Sequence, residues 1–389
     1  MRVLIASGGT GGHVFPALSV AEEIKQQRPS ARFLFLGAKK LAIEGLCFGE
    51  DARVVRLPAV GMPRRISTDV ASFVFRLIGS FDVSFRVVAN FRPHVAIGFG
   101  NFSSVAPLFA ARLLGVPVAI HEANAVPGKA NLLLSRLSSA VLVNFPGSAA
   151  HFPNRNVEVV GMPLRKEFMQ PRDRLGALAQ IQKLSSTILT LLVVGGSQGA
   201  RALNREVCNT LPILQKRAGE VQVIHLTGAA DYPWVRRRYE ALPLRAYVAP
   251  FESRMKTLYD AADLVVARSG ASTVAEITQT GKPAILVPFP YAASGHQDQN
   301  ARYLEAKGGA VVLEQLTASR GQATIPGFGE TLCQLIADGG HALSVMEANN
   351  PAGGGNGNAA KKIADILFRI ARPESLLCSD MRRRVAVPL

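Results

Sequence analysis

The sequence predicts an α/β protein made of two Rossmann-like, doubly wound parallel sheets. Three observations predict it. Short β-branched runs alternate with segments of helical spacing. A glycine-rich turn follows a buried strand near the start of each half. The chain, at 389 residues, is longer than one core of ordinary size organises. Apolar residues make up 48% and charged residues 19%, the composition of a well-buried chain rather than a disordered one.

In the first half "RVLIA", "RFLFLG", "RVVRL", "HVAIGFG", "VPVAIHE" and "AVLVNF" read as strands. Between the first two, Ala17, Val20, Ala21 and Ile24 recur at helical intervals. The same grammar restarts after "VEVVGMPLR". There "ILTLLVVGGSQGA" ends a buried strand in a second glycine turn, followed by "VQVIHLTG", "RAYVAPF", "ADLVVARSG", "KPAILVPF" and "GAVVLEQ". The boundaries this predicts are residues 1–161 for the first domain, 162–348 for the second, and 349–389 for a terminal piece. That piece begins with the flexible composition "PAGGGNGN". It continues with an apolar helical face of Ile363, Ile366, Leu367 and Ile370, and ends in the basic "MRRRVAVPL". Open parallel sheets bind ligands at the carboxyl ends of their strands, so a cleft faced by both domains is the expected site.

The formal charge of +16 is shared by both halves and suits nucleic acid, an anionic membrane or a phosphorylated substrate. No aromatic stacking cluster or nucleic-acid module accompanies it, so nucleic acid is not expected. Cys47, Cys208, Cys333 and Cys378 lie far apart without a CxxC pair, which suggests reduced thiols rather than a disulfide framework or a zinc site. The first residues have no signal-peptide core. No uninterrupted apolar run reaches the ~18 residues of a spanning helix. The expectation is a cytoplasmic protein, soluble or peripheral to a membrane.

The turn "SGGTGGHVFPAL", Ser7 to Leu18, is not a dinucleotide fingerprint. Begun at Gly9, GxGxxG needs a glycine where Val14 stands, and "GAKK" follows the second strand where an acid belongs. It is not a P-loop either, because His13-Val14 replaces Lys-Ser or Lys-Thr. What survives is backbone N–H groups held close to an anion at a helix N-terminus. "GGSQGA" and "GFGNFSS" repeat this arrangement at other strand ends, which favours phosphate binding over three unliganded turns.

Six ordered motifs, "GGTGGHVFPA", "HEANAVPGKAN", "GMPLR", "GGSQGARALN", "RSGASTVAEI" and "HQDQNA", resemble the MurG family of N-acetylglucosaminyltransferases. The resemblance runs to about Gln315. It implies a GT-B fold, UDP-N-acetylglucosamine as donor and undecaprenyl-pyrophosphoryl-muramoyl-pentapeptide (lipid I) as acceptor. It further implies an inverting transfer that forms lipid II at the cytoplasmic face of the plasma membrane. No cofactor is implied, and the chain contains no DxD motif of the kind that holds a metal.

Carried over position by position, the resemblance implies donor contacts at Thr10, Gly11, Gly12, Asn124, Arg165, Ser197, Glu252, Ala271, Ser272, Thr273, Val274, Ala275, Glu276 and Gln297. Gly98, Gly100, Asn101 and Ser103 are assigned to the acceptor. The sequence departs from the family pattern at Met162, at Asn101, at Glu252 and in the extension after the glycine-rich linker.

Each position also has a plainer reading. By spacing alone Thr273-x-x-Glu276 is a capping box, whereas the resemblance puts the Glu276 carboxylate on ribose hydroxyls. Arg165 suits a pyrophosphate, and Ser197 with its loop amides would meet the leaving UDP. Gln297 and Asn300 read as polar caps or as partners of sugar hydroxyls, beside an exposed His296. His13 is the candidate general base, since the first turn of a helix disfavours the imidazolium. Glu122 and His121 are its rivals. Arg53 to Arg92 is arginine-rich, and Val70, Phe73, Leu77, Phe81, Phe85 and Val88 recur at helical spacing. That stripe reads as core-facing, with an arginine-rimmed apolar edge that suits an anionic membrane surface.

Two competing functions are an epimerase acting on UDP-N-acetylglucosamine and another lipid glycosyltransferase of the same fold. A nucleotide-sugar-binding regulator is the non-enzymatic reading.

Overall fold

The computed structural model describes residues 1–9, 11–38, 48–57, 69–153, 155–181, 184–196, 199–317, 323–337, 340–350, 352–353 and 357–373, without the side chains of 69–74. Two compact units result. Met1–Arg165 with Asn358–Leu389 forms one, and Lys166–Gly357 the other.

The first unit runs β1 (Arg2–Ser7), α1 (Gly11–Gln27), β2 (Arg32–Ala38), β3 (Ala52–Leu57), α2 (Asp69–Phe91), β4 (Val95–Gly98), α3 (Val105–Leu113), β5 (Val118–Glu122), α4 (Lys129–Ser135), β6 (Ala140–Val143) and β7 (Val157–Val159). Its strands make one parallel sheet in the order β3-β2-β1-β4-β5-β6-β7. Leu4 lies level with Leu34 on one side and Ala96 on the other. Successive strand residues face opposite ways. Val3, Ile5, Phe33 and Phe35 therefore join the core under α1, while Leu4, Ala6, Leu34 and Leu36 join the one under α3 and Val88 of α2. Strands buried on both faces read as continuous apolar runs, as the sequence shows.

The α2 stripe needs one correction. Ser84 and Val88 are buried and Leu77 and Phe81 half-buried, but Phe85 is exposed. The helix turns a narrower face to the sheet, and Phe81 packs edge-on against Phe109 of α3 at 5.5 Å. Val70 and Phe73 lie outside the described side chains.

The second unit runs α5 (Arg174–Gln180), β8 (Leu189–Val194), α6 (Arg201–Gln215), β9 (Val221–Leu226), α7 (Tyr232–Glu240), β10 (Ala246–Ala249), α8 (Met255–Ala261), β11 (Leu264–Ala267), α9 (Ala271–Thr280), β12 (Ala284–Leu286), α10 (His296–Glu305) and β13 (Ala310–Val312). A short hairpin of β14 (Leu316–Thr317) and β15 (Ala323–Thr324) follows, then α11 (Phe328–Ala337) and α12 (His341–Asn349). The main sheet is parallel in the order β10-β9-β8-β11-β12-β13. In both units the strand order reverses beside the first strand, at β1/β4 and β8/β11, where such sheets open a ligand crevice.

The last helix, α13 (Ala359–Ile370), returns to the first unit. Its Ile363, Ile366 and Leu367 are buried in the core beside Val20 and Ile24 of α1. The apolar face read from the sequence thus closes the first domain rather than the second. The basic tail after it lies outside the described residues, as do Cys47 and Cys378. Cys208 and Cys333 are free thiols.

Candidate functional site

At the switch point of the first unit, the turn after β1 meets the loop after β4. Ser103 Oγ donates to the Ser7 carbonyl at 3.2 Å, and Ser104 Oγ to that of Gly100 at 2.6 Å. Gly8 is wedged between the two loops. A Cβ there would come within 2.8 Å of Asn101 Nδ2 and 2.9 Å of His13 Cδ2, so any larger residue would have to displace those side chains. Asn101 has φ 69° and ψ 152°, a region outside the left-handed helical well and ordinarily reserved for glycine. The loop keeps its course at the expense of strain, while Asn101 Oδ1 accepts from Ser103 N at 3.4 Å.

His13 sits in the first turn of α1, half-buried, with Nδ1 2.7 Å from the Phe99 carbonyl. A carbonyl only accepts, so Nδ1 carries the hydrogen and a neutral ring has its lone pair on Nε2. The rivals are committed elsewhere. Glu122 is buried and takes Asn124 N and Nδ2 on Oε1 and Gly128 N and Asn131 Nδ2 on Oε2, at 2.8–3.2 Å. It staples the loop between β5 and α4. His121 is buried, gives its Nε2 hydrogen to the Gly161 carbonyl at 2.9 Å, and is driven down to about 4 by burial.

Of the other first-unit positions, Gly11 and Gly12 open α1, and Arg165 lays its guanidinium 5.0 Å over the Phe15 ring. Gly98 is a packing residue. A Cβ there would meet Leu108 Cδ1 at 2.4 Å. Asn124 has its side chain held by Glu122, and the buried Ser103 hydroxyl is spent on Ser7. Thr10 lies outside the described residues. Met162, the departure in "GMPLR", is fully buried.

In the second unit a cavity of about 540 Å³ opens at the β8/β11 switch point. It is lined by Gly195, Gly196, Gly199, Arg201, Arg205, Arg268, Gly270, Thr273, Phe289, Gln297 and Gln315, among others. Gly195 and Gly199 are required. A Cβ on Gly195 would lie 2.7 Å from Ala200 N, and one on Gly199 2.6 Å from the Thr227 carbonyl. Two helices, α6 and α9, begin at the cavity, and neither has a side-chain cap on its first N–H groups. Helix N-termini of this kind attract anions. Three arginines add to the positive field. Arg268 donates to the Val287 and Pro288 carbonyls and to Gln315, and burial pulls its guanidinium down to about 10, still cationic at neutral pH. Arg205 is exposed and has no ion pair among the described residues. Arg201 shares its Nε–H with Asp231.

The capping box does not form. The N-cap of α9 is Gly270, which puts Thr273 and Glu276 inside the helix. Thr273 lines the cavity, and half-buried Glu276 receives the Tyr259 hydroxyl at 3.1 Å. Val274 and Ala275 are buried, so only their backbone is available to a ligand, while Ala271 and Ser272 are half-buried on the first turn. Gln297 accepts from Phe289 N at 2.9 Å at the cavity wall. Asn300 is buried and donates to the Ser269 carbonyl, and His296 bonds back to Ala293. Glu252 is bound up with Arg254 and with the Tyr247 hydroxyl. The Arg254 side chain above all, over the opposing effect of burial, lowers it to about 2. Its side chain serves its own loop. Ser197 lies outside the described residues.

Reading by motif missed Arg201, Arg205 and Arg268. The usable signal for Arg201 and Arg268 was an arginine immediately flanking each glycine turn, in "GGSQGAR" and "ARSGA"; Arg205, one turn into α6, has no such signal.

Models of the glycosyltransferase family 28 N-terminal domain and C-terminal domain match residues 3–143 and 190–324 respectively. A curated protein of Anaeromyxobacter dehalogenans is 36% identical over 388 residues, covering 96% of this chain and 94% of its own. It carries the name UDP-N-acetylglucosamine--N-acetylmuramyl-(pentapeptide) pyrophosphoryl-undecaprenol N-acetylglucosamine transferase. The chain belongs to the MurG family. The crystal structure of Acinetobacter baumannii MurG agrees, at TM-score 0.68 and 28% identity over 95% of this chain and 99% of that one. A Neisseria meningitidis UDP-GlcNAc 2-epimerase, crystallised with UDP-GlcNAc, reaches TM-score 0.66 at 15% identity over 95% of this chain and 100% of its own. That likeness extends to the fold alone. The chain is therefore a glycosyltransferase of GT-B architecture with a parallel α/β sheet in each domain.

Proposed function

We propose that this enzyme moves N-acetylglucosamine from UDP-N-acetylglucosamine to lipid I, making lipid II. The observation that carries the reading is the second-unit cavity, where three arginines and two helix N-termini surround a space suited to a nucleoside diphosphate. It occurs in a chain similar from end to end to curated transferases of that name.

The donor's diphosphate lies against the α6 and α9 N-termini, with the arginines around it. Glu276 and Gln297 orient ribose and sugar through hydrogen bonds to hydroxyls. In the transfer an acceptor hydroxyl oxygen attacks the anomeric carbon as the bond from that carbon to the β-phosphate oxygen breaks. The electron pair leaves with UDP, and the configuration inverts. Negative charge grows on the departing diphosphate, so fixed cations and amides there act most strongly in the transition state. The acceptor proton goes to a base. His13 suits that role, with its Nδ1 hydrogen anchored and its Nε2 lone pair as the receiving site.

The acceptor is lipid-linked, and the first unit has a matching surface. Phe75 and Ile78 of α2 and Leu113 of α3 are 79%, 62% and 60% exposed, and Arg76, Arg86 and Arg112 are exposed on the same two helices. Apolar side chains rimmed by arginine suit the boundary of an anionic bilayer. No helix among the described residues is long and apolar enough to cross a membrane. The reading is therefore peripheral attachment at the cytoplasmic face.

The test is transfer of labelled N-acetylglucosamine from UDP to a lipid I analogue, run with and without that acceptor. Label is expected in the lipid product only when acceptor is present. Formation of an epimerised sugar nucleotide from donor alone, or no reaction, overturns the reading.

A further inference from the structure

A buried polar chain runs from the core of the second unit to the wall of the anion cavity. Asn204 of α6, fully buried, gives its two amide hydrogens to the Thr227 carbonyl and to Asp231 Oδ2, each at 2.9 Å. Its Oδ1 is left to accept, so His225 Nε2 at 3.1 Å must donate to it. His225 Nδ1 then accepts from the Tyr239 hydroxyl at 3.0 Å. Every group has one possible role, which gives the network a single arrangement. At its outer end Asp231 Oδ1 takes the Nε–H of Arg201 at 3.0 Å. The Arg201 side chain is mostly exposed while Asp231 is buried, and the Nη groups of Arg201 have no further partner among the described residues.

We infer that Asp231, fixed by Asn204, is a positioning residue that aims the Arg201 guanidinium across the mouth of the anion cavity, so that its Nη groups serve a diphosphate. The physical need is plain. An exposed arginine samples many rotamers, and one whose Nε is already held loses fewer of them on binding phosphate. A buried carboxylate itself needs a fixed place. Burial would raise its pKa, and hydrogen bonds from Trp234, Asn204 and Arg201 outweigh that and keep it ionised. The inference rests on the proposal that the cavity takes the diphosphate of the donor.

Asp231→Asn is the selective change. The amide oxygen can still accept from Asn204, but its NH₂ group then faces the Arg201 Nε–H, donor against donor. UDP and uridine, measured as competitive inhibitors or by calorimetry on the full chain, separate positioning from general damage, because uridine has no phosphate. Asp231→Asn is expected to weaken UDP about tenfold while leaving uridine within about twofold, the scale of one charge-assisted hydrogen bond. Arg201→Ala should weaken UDP at least as much, and adding Asp231→Asn to it should change nothing further. Equal losses for UDP and uridine, or additive losses in the double variant, overturn the inference. If Arg201→Ala weakens UDP and Asp231→Asn does not, the inference falls and the donor cavity stands. If Arg201→Ala leaves UDP unaffected, the assignment of the diphosphate to this wall falls with it. Should Asp231→Asn fail to fold, Asp231→Ser keeps a hydroxyl for Asn204 and removes the charge, with the same outcomes expected.

Discussion

At the scale of single residues, His13 shows how a backbone carbonyl selects a tautomer. With its Nδ1 hydrogen on Phe99, a neutral ring carries its lone pair on Nε2, whereas His121 is buried and Glu122 is consumed by four hydrogen bonds. His13→Ala is expected to lower kcat by about 10²–10⁴ while UDP affinity stays the same. Near-normal turnover at saturating donor would remove His13 as the base. Sequence spacing put His13 on a helix N-terminus but left three candidates standing, because burial and partner count are not properties of spacing. The same limit explains Thr273 and Glu276. Their spacing fits a capping box, yet the helix starts at Gly270 and makes them interior residues.

At the scale of elements, strands and glycine turns were legible. Alternation of β-branched runs with helical segments marks parallel strands buried on both faces, and Gly195 and Gly199 sit where any Cβ would strike backbone. The faces of helices were less so. Phe85 of α2 fits the apolar period but stands exposed, while Phe81 one turn earlier packs edge-on against Phe109 of α3. Strand β9 carries a buried His225 that the sequence does not single out, held near 3 by burial although the Asp231 charge acts to raise it. His121 and His225 have folded pKa values below the unfolded value of about 6.5, so the unfolded chain binds more protons in the interval. The stability they contribute is therefore complete above about pH 6.5 and is lost as pH falls towards 4 for His121 and 3 for His225. Thermal midpoints should drop by several degrees between pH 7 and pH 4. A His225→Gln variant should melt lower at pH 7 but with a flatter pH profile below it. An unchanged slope in that variant would contradict the assignment.

At the scale of the whole molecule, the +16 charge includes the arginines that line the second-unit cavity and the exposed arginines of α2 and α3, which the proposed function assigns to the donor diphosphate and to an anionic membrane surface. The second predicts binding to vesicles containing anionic lipid that weakens as salt rises, since each basic side chain near the surface contributes about 1 kcal/mol that ions screen. Phe75→Ser with Ile78→Ser should reduce the binding that survives high salt. Equal affinity for neutral and anionic vesicles would defeat the electrostatic part.

The sequence by itself determined the two doubly wound sheets, their glycine turns and the family, because periodicity, glycine placement and ordered motifs are local and survive without coordinates. Only the tertiary structure decided that α13 completes the first domain, that Arg201, Arg205 and Arg268 share one cavity, and that Glu122 and Glu252 are tied into their own loops. Those outcomes depend on residues distant in the chain meeting in space, where burial and the count of hydrogen-bond partners assign each polar group its task.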